Sequence, residues 1–152
     1  MIRDIKRILL VDDNENDIEL TLSALSEHKV ANEIVVLRDG AQALDYLFCR
    51  GAYADRPGGN PACMLLDLKM PKVDGLEVLR AIKEDEGLKT IPVVMLTSSR
   101  EERDLIASYR LGVNAYVVKP VDFASFVEAV KQLGAFWAIF NEPPPTTATQ
   151  AA

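Results

Sequence analysis

Five short runs of apolar residues, each stopping abruptly at a polar one, constrain this chain more than any other feature. They are Arg7-Ile8-Leu9-Leu10-Val11, which stops at Asp12-Asp13; Ile34-Val35-Val36-Leu37; Cys63-Met64-Leu65-Leu66, which stops at Asp67; Pro92-Val93-Val94-Met95-Leu96, which stops at Thr97; and Ala115-Tyr116-Val117-Val118, which stops at Lys119-Pro120. Runs this short that are apolar throughout, rather than alternating, mark strands covered on both faces, as in a parallel sheet. Between them apolar residues return at helical spacing. Ile18, Leu22 and Leu25 do so within Asp17 to His28, Ala43, Leu44, Leu47 and Phe48 after Asp39-Gly40, and Leu76, Val78, Leu79 and Ile82 after Asp74-Gly75. A fourth helix is expected from about Arg100 to Leu111, and a long fifth from Asp122, as its N-cap, to about Phe140. Strands and helices that alternate in this way predict an α/β fold of the (βα)5 type. Right-handed crossovers leave a doubly wound, five-stranded parallel sheet with helices on both faces as the natural topology.

Length and composition narrow the class. At 152 residues the chain has room for one domain, expected over residues 1–141, with the Pro/Thr/Ala-rich Glu142 to Ala152 as an arm or disordered tail. A hydrophobic content of 49% with 26% charged residues is that of a globular protein and excludes disorder for the bulk of the chain. No uncharged apolar run approaches the ~18 residues of a spanning helix. The opening MIRDIKR leads into a strand without an apolar signal segment, and Cys49 and Cys63 form no CxxC, so a cytoplasmic location with reduced thiols is expected. A net charge of −6 argues against sequence-independent nucleic-acid binding, which needs a basic surface, and favours a protein or cation partner.

In a doubly wound sheet the site lies outside the carboxyl ends of the strands. Here those ends carry Asp12-Asp13, Asp67, Thr97 and Lys119, while the second strand, ending in Leu37-Arg38-Asp39, adds nothing obvious. A single terminal Asp is most simply a helix cap; four polar ends on one sheet edge are harder to explain that way. Three carboxylates at one edge repel and raise one another's pKa unless a cation is present. A hard divalent ion such as Mg²⁺, bound through carboxylates, water and phosphate, resolves the repulsion. His28 is the single histidine, so no zinc or copper site can be built from imidazoles. Lys119 brings a mobile positive charge suited to a phosphoryl oxygen, and Thr97 a hydroxyl donor. A carboxylate nucleophile, Mg²⁺, a lysine and a hydroxyl together describe phosphoryl transfer to an aspartate.

With these residues in place, the chain resembles the response-regulator receiver domains of two-component signalling, which have a flavodoxin-like, CheY-like fold. The resemblance runs from about Lys6 to Gln132. ILLVDDNEND matches the paired acidic residues at Asp12 and Asp13, LLDLKMPKVDGLEVL the phosphoacceptor segment at Asp67, VVMLTSS the switch hydroxyl at Thr97, and AYVVKPVD the lysine at Lys119. Tyr116 matches the aromatic that in this family swings between outward and inward positions. The resemblance implies phosphorylation of Asp67 by a phosphohistidine donor and slow hydrolysis of the acyl phosphate, so the protein catalyses its own modification without being a turnover enzyme. It also implies that Asp13, Asp67 and the backbone oxygen of Lys69 ligate Mg²⁺, with Asp12 acting through water. Lys69 departs from the small or amide residues common there, which bears on access of the attacking water.

Three rival readings follow from the same residues. An aspartyl-phosphate phosphatase of the haloacid-dehalogenase type needs a second Asp two residues past the nucleophile, and Lys69 stands there. A flavodoxin-like cofactor binder needs a phosphate-cradling loop after the first strand, and Asp13-Asn14-Glu15-Asn16-Asp17 is acidic instead. A phosphorylation-independent scaffold on the receiver fold leaves every key position filled without need.

No DNA-binding or enzymatic segment follows the receiver-like region, so output is expected through another protein, a dimer or onward phosphotransfer. Along FVEAVKQLGAFWAIFNEPPP, Phe126, Val130, Leu133, Trp137 and Phe140 form a helical stripe, while Phe123, Val127, Phe136 and Ile139 fall largely off it. A helix end apolar nearly all round must be buried by something, and a homodimer through Phe136, Trp137, Ile139 and Phe140 with the Asn141-Glu142-Pro143-Pro144 arm is expected. The loop RGAYADRPGGNP and the ending LGAFWAIFNEPP further resemble the single-domain response regulators that partner bacterial phytochrome kinases. That resemblance implies a light-regulated sensor histidine kinase, a bacteriophytochrome, as the phosphoryl donor.

Overall fold

The structure, a computed structural model, describes residues 7–27, 33–98 and 115–133. Five strands, β1 (Ile8–Val11), β2 (Ile34–Leu37), β3 (Cys63–Asp67), β4 (Val93–Thr97) and β5 (Ala115–Val118), form one sheet in the order β2-β1-β3-β4-β5. Every pairing is parallel. The helices described are α1 (Glu15–Glu27), α2 (Gly40–Leu47), α3 (Gly75–Glu84) and α4 (Phe123–Leu133). The predicted doubly wound α/β fold is the one observed. The predicted helix near Arg100 to Leu111, and the end of the last helix with Phe136, Trp137, Ile139 and Phe140, lie outside the described residues.

Strand alternation divides the core in two. Leu9, Val11, Met64, Leu66, Val93 and Met95 face α2 and α3, where they pack with Leu47, Val78, Leu79 and Ile82. Ile8, Leu10, Cys63, Leu65, Val94, Leu96 and Val117 face α1 and α4, where they meet Ile18, Leu25, Phe126 and Ala129. β1, β3 and β4 are buried along their whole length, as their unbroken apolar character requires. The outer strands differ from that expectation. β2 is mostly half-buried, and on β5 Tyr116 and Val118 are exposed, because an edge strand has a neighbour on one side alone.

Local signals set the helix starts. α1 begins at Glu15, two residues earlier than its apolar period suggests, because the Asn14 side chain accepts the Asp17 N–H at 2.9 Å and so caps the first turn. Asp39 caps α2 through the Gln42 N–H at 2.8 Å. Asp74 and Glu77 form a reciprocal capping box on α3. Asp122 takes the expected capping place on α4, its carboxylate accepting the Ser125 N–H at 2.8 Å. The segment from Gly51 to Pro61, read as a plain loop, opens with a 3-10 turn over Gly51–Tyr53. Its turn is closed by the Tyr53 and Ala54 N–H groups on the Arg50 and Gly51 carbonyls.

Candidate functional site

Sheet register alone lines up the polar strand ends. Val11 pairs with Leu66, so the next residues, Asp12 and Asp67, are neighbours across the β1–β3 boundary. Thr97 pairs with Val118, which brings Lys119 past the end of β5 beside the β4 terminus. The Lys119 N–H donates to the Thr97 carbonyl at 2.8 Å, tying the two together, and the peptide bond to Pro120 is cis. The β1–β3 boundary is where the strand order reverses, the place at which open α/β sheets bind ligands.

Alternation also selects the face. Asp12, Asp67 and Lys119 share the parity of Leu10, Leu65 and Val117, so all three lie on the α1 side. Lys119 is accordingly clasped by carboxylates. Its Nζ lies 2.9 Å from Asp17 Oδ2, 3.2 Å from Asp67 Oδ1 and 3.3 Å from Asp12 Oδ2, with 11% of its side chain exposed. The mobile lysine expected from the sequence is a pinned one. Burial alone would lower its pKa, but the Asp17 hydrogen bond and the Asp67 and Asp12 charges outweigh burial and hold it above the ordinary lysine value.

Asp17 is the participant that sequence reasoning missed. It sits in the first turn of α1, on the side of the sheet that the three strand-end residues share. Its signal was available in the strand parity combined with the position of the Asn14 cap.

Asp12 is fully buried, Asp67 is 5% exposed and Asp13 is open to solvent. One ligand oxygen from each lies within 4.8 Å of the other two, the spacing of a single cation's coordination sphere. Buried Asp12 Oδ2 makes no hydrogen bond, and its ion-pair approach to Lys119 does not satisfy that geometry. An orphaned buried carboxylate oxygen beside two further carboxylates fits a hard divalent ion, as does the all-oxygen donor set. Burial pushes the Asp67 carboxyl up to about 7, helped by the Asp12 and Asp13 charges and opposed by Lys119.

Of the remaining sequence-predicted residues, Thr97, Lys69 and Tyr116 are described. Thr97 is fully buried at the end of β4, on the parity of Val93 and Met95. Lys69 is exposed two residues past Asp67. Tyr116, paired with Met95, is 37% exposed. Gly75 sets the backbone beneath the cluster: its N–H donates to the Leu68 carbonyl at 2.9 Å, and a Cβ there would lie 2.2 Å from the Asp67 carbonyl oxygen. At the end of β2, Asp39 caps α2 and Arg38 pairs with Glu15.

Fold and site together define an α/β domain that gathers carboxylates and one lysine at its topological switch point. The chain belongs to the response regulator receiver domain family, whose sequence model matches residues 8–131. Receiver domains accept a phosphoryl group on an aspartate and bind a divalent metal ion. Response regulator Rcp1 of Synechocystis sp. is 42% identical over 132 residues, covering 87% of this chain and 88% of that protein. The solved structure of the bacteriophytochrome response regulator AtBRR is 61% identical, with a TM-score of 0.87, and covers 92% of this chain and 100% of its own. The phosphorylated cyanobacterial phytochrome response regulator RcpA is 42% identical, with a TM-score of 0.72, over 94% of this chain and 100% of that one. Rcp1 has also been solved in a Mn(2+)-bound form, with a TM-score of 0.71 over 93% of this chain and 99% of that one. No described helix is long and apolar enough to cross a membrane.

Proposed function

We propose that Asp67 accepts a phosphoryl group from the phosphohistidine of a sensor histidine kinase, a bacteriophytochrome, and that the resulting charge switches the surface at Thr97 and Tyr116. The observation that carries this reading is the placement of buried Asp67 3.2 Å from Lys119 Nζ within a carboxylate cluster of single-ion dimensions. The identity to AtBRR and the relation to Rcp1 and RcpA support the phytochrome kinase as donor.

In the transfer, an Asp67 carboxylate oxygen attacks phosphorus in line, an O–P bond forms as the N–P bond of the donor breaks, and neutral imidazole departs after protonation. Only ionised Asp67 is nucleophilic, so the carboxyl must be held in that form despite its burial. Lys119 does part of this, and its ammonium lies close enough to follow the charge onto the phosphoryl oxygens. Asp13, Asp67 and the Lys69 carbonyl would hold Mg²⁺, with Asp12 acting through water, and the ion would supply the remaining positive charge. Asp17 keeps Lys119 aimed into the cluster.

Once Asp67 is phosphorylated, the Thr97 hydroxyl donates to a phosphoryl oxygen and draws the end of β4 inward. Tyr116, on the neighbouring strand and exposed in this structure, then moves toward the space released. A homodimer through Phe136, Trp137, Ile139 and Phe140 belongs to the same proposal and rests on their apolar pattern. The test is transfer of labelled phosphoryl from an autophosphorylated bacteriophytochrome kinase. Label should move to the wild-type chain and not to Asp67→Asn; label retained on the kinase in both would contradict the proposal. Ultracentrifugation of a chain ending at Ala135 should give a monomer that still accepts phosphoryl, whereas an unchanged dimer, or a monomeric full-length chain, would exclude these contacts.

A further inference from the structure

The opposite, amino-terminal edge of the sheet holds two guanidinium groups that the phosphoacceptor site does not use. Arg7 directly precedes β1 and is 6% exposed. It donates to the Tyr46 hydroxyl and, at 3.1 Å, to the Gly59 carbonyl, and its buried Nε has no partner. Arg56 comes from the loop between α2 and β3 and lies 4.1 Å from the centroid of the Tyr46 ring, with Arg7 at 5.8 Å from the same centroid. Arg56 Nε donates to the Tyr46 carbonyl at 2.6 Å, and Nη1 to the Pro57 and Gly59 carbonyls at 2.7 and 3.3 Å.

Among the described residues, every acceptor bonded to these two cations is neutral. Among the described residues no carboxylate stands within ion-pair distance of either one. A buried charge answered only by neutral oxygens is unfavourable until an anion joins it. The bonds of Arg56 use Nε and Nη1, and leave the two N–H groups of Nη2 for a ligand. Beside the pair opens a cavity of about 240 Å³, lined by Arg7, Glu33, Val35, Tyr46, Arg56 and Pro57. The loop is shaped for this arrangement: Gly59 takes φ +108°, a conformation rarely open to side-chain-bearing residues, and delivers its carbonyl to both arginines.

We propose that this cavity binds a small organic carboxylate. Its anionic end is met by the Arg56 Nη2 N–H groups and the remaining Arg7 Nη N–H groups, as charge-assisted hydrogen bonds from two separate guanidinium groups. Its apolar body lies against Val35, Pro57 and the Tyr46 ring. The cavity is too small for a nucleotide or a folded partner's surface and suits a ligand of about a dozen non-hydrogen atoms or fewer. Glu33, at the mouth, is the competing occupant, since a rotation of its side chain would supply an internal counter-charge.

The test is titration of the full-length, ¹⁵N-labelled protein in EDTA with benzoate, benzamide or inorganic phosphate, following backbone and arginine Nε–H resonances. Benzoate should shift Arg7, Arg56 and Gly59 saturably in the millimolar range, and benzamide, which has the same shape without the charge, should not. Because Arg7 substitutions can unfold the protein, the variant is Arg56→Gln, which should weaken benzoate roughly tenfold or more while acetyl phosphate, in a separate sample with Mg²⁺, still labels Asp67. The proposal is overturned by the absence of saturable shifts, by equal affinity for benzamide, or by inorganic phosphate binding these residues as tightly as benzoate. It is equally overturned if binding occurs in Glu33→Gln alone, which would make Glu33 the natural occupant.

Discussion

Replacing Asp67 with asparagine should stabilise the metal-free protein, and more so as pH rises. The folded Asp67 carboxyl has its pKa pushed up to about 7 from 3.8, first by burial and then by the Asp12 and Asp13 charges. Between those values the folded state binds more protons at this group than the unfolded state does, so stability falls as pH rises. The cost is absent below the unfolded pKa and fully present above the folded one. The whole shift corresponds to about 4 kcal/mol at 1.36 kcal/mol per unit. Water at the open edge of the site screens part of it, so about 2 kcal/mol is expected at pH 8. Asparagine keeps the shape and removes the charge. Urea unfolding of wild type and Asp67→Asn in EDTA, at steps from pH 5 to 8, should show an advantage for the variant that grows by about 1–2 kcal/mol across the range. Adding Mg²⁺ at pH 8 should narrow the gap, since ion at tenfold over its Kd stabilises the wild type by about 1.4 kcal/mol. A gap that does not change with pH, or a variant less stable at pH 8, would refute the electrostatic reasoning.

Three further outcomes are expected. Asp17→Asn removes the 2.9 Å partner of Lys119 and should lower the lysine pKa toward its ordinary value, as read by NMR titration of the side chain; an unmoved pKa would show that Asp67 and Asp12 hold it without help. Native protein at pH 8 should react with a thiol reagent at exposed Cys49 and not at buried Cys63, whose thiol is pushed up to about 12 by burial, and both should react in denaturant. Gly75→Ala forces a methyl group to within 2.2 Å of the Asp67 carbonyl oxygen and should cost roughly 1–3 kcal/mol in unfolding experiments and slow phosphorylation by displacing the acceptor strand end.

The centre of the fold and the chemistry at its edge were legible because the same residues encode both. Unbroken apolar character marks all five runs as strands covered on both faces, which holds along the whole length of β1, β3 and β4, and the β1 and β3 runs lead straight into residues of the cluster. Asp17 escaped notice because a helix-start aspartate reads as local capping, and strand parity is needed to see that it faces Lys119. Lys119 read as mobile for the same reason, since three carboxylates clasp it across sequence distances that no local pattern reports. In the sequence Arg7 reads as the first residue of an apolar run. Its burial depends on Tyr46 and on a carbonyl from a loop more than fifty residues away, so composition gives no hint of it.

The most direct test of the central claim is intact mass after incubation with acetyl phosphate, with and without Mg²⁺, beside Asp67→Asn. The account predicts one phosphoryl adduct on the wild type that requires the metal and is absent from the variant. An adduct of equal yield on Asp67→Asn, or one indifferent to EDTA, would contradict it.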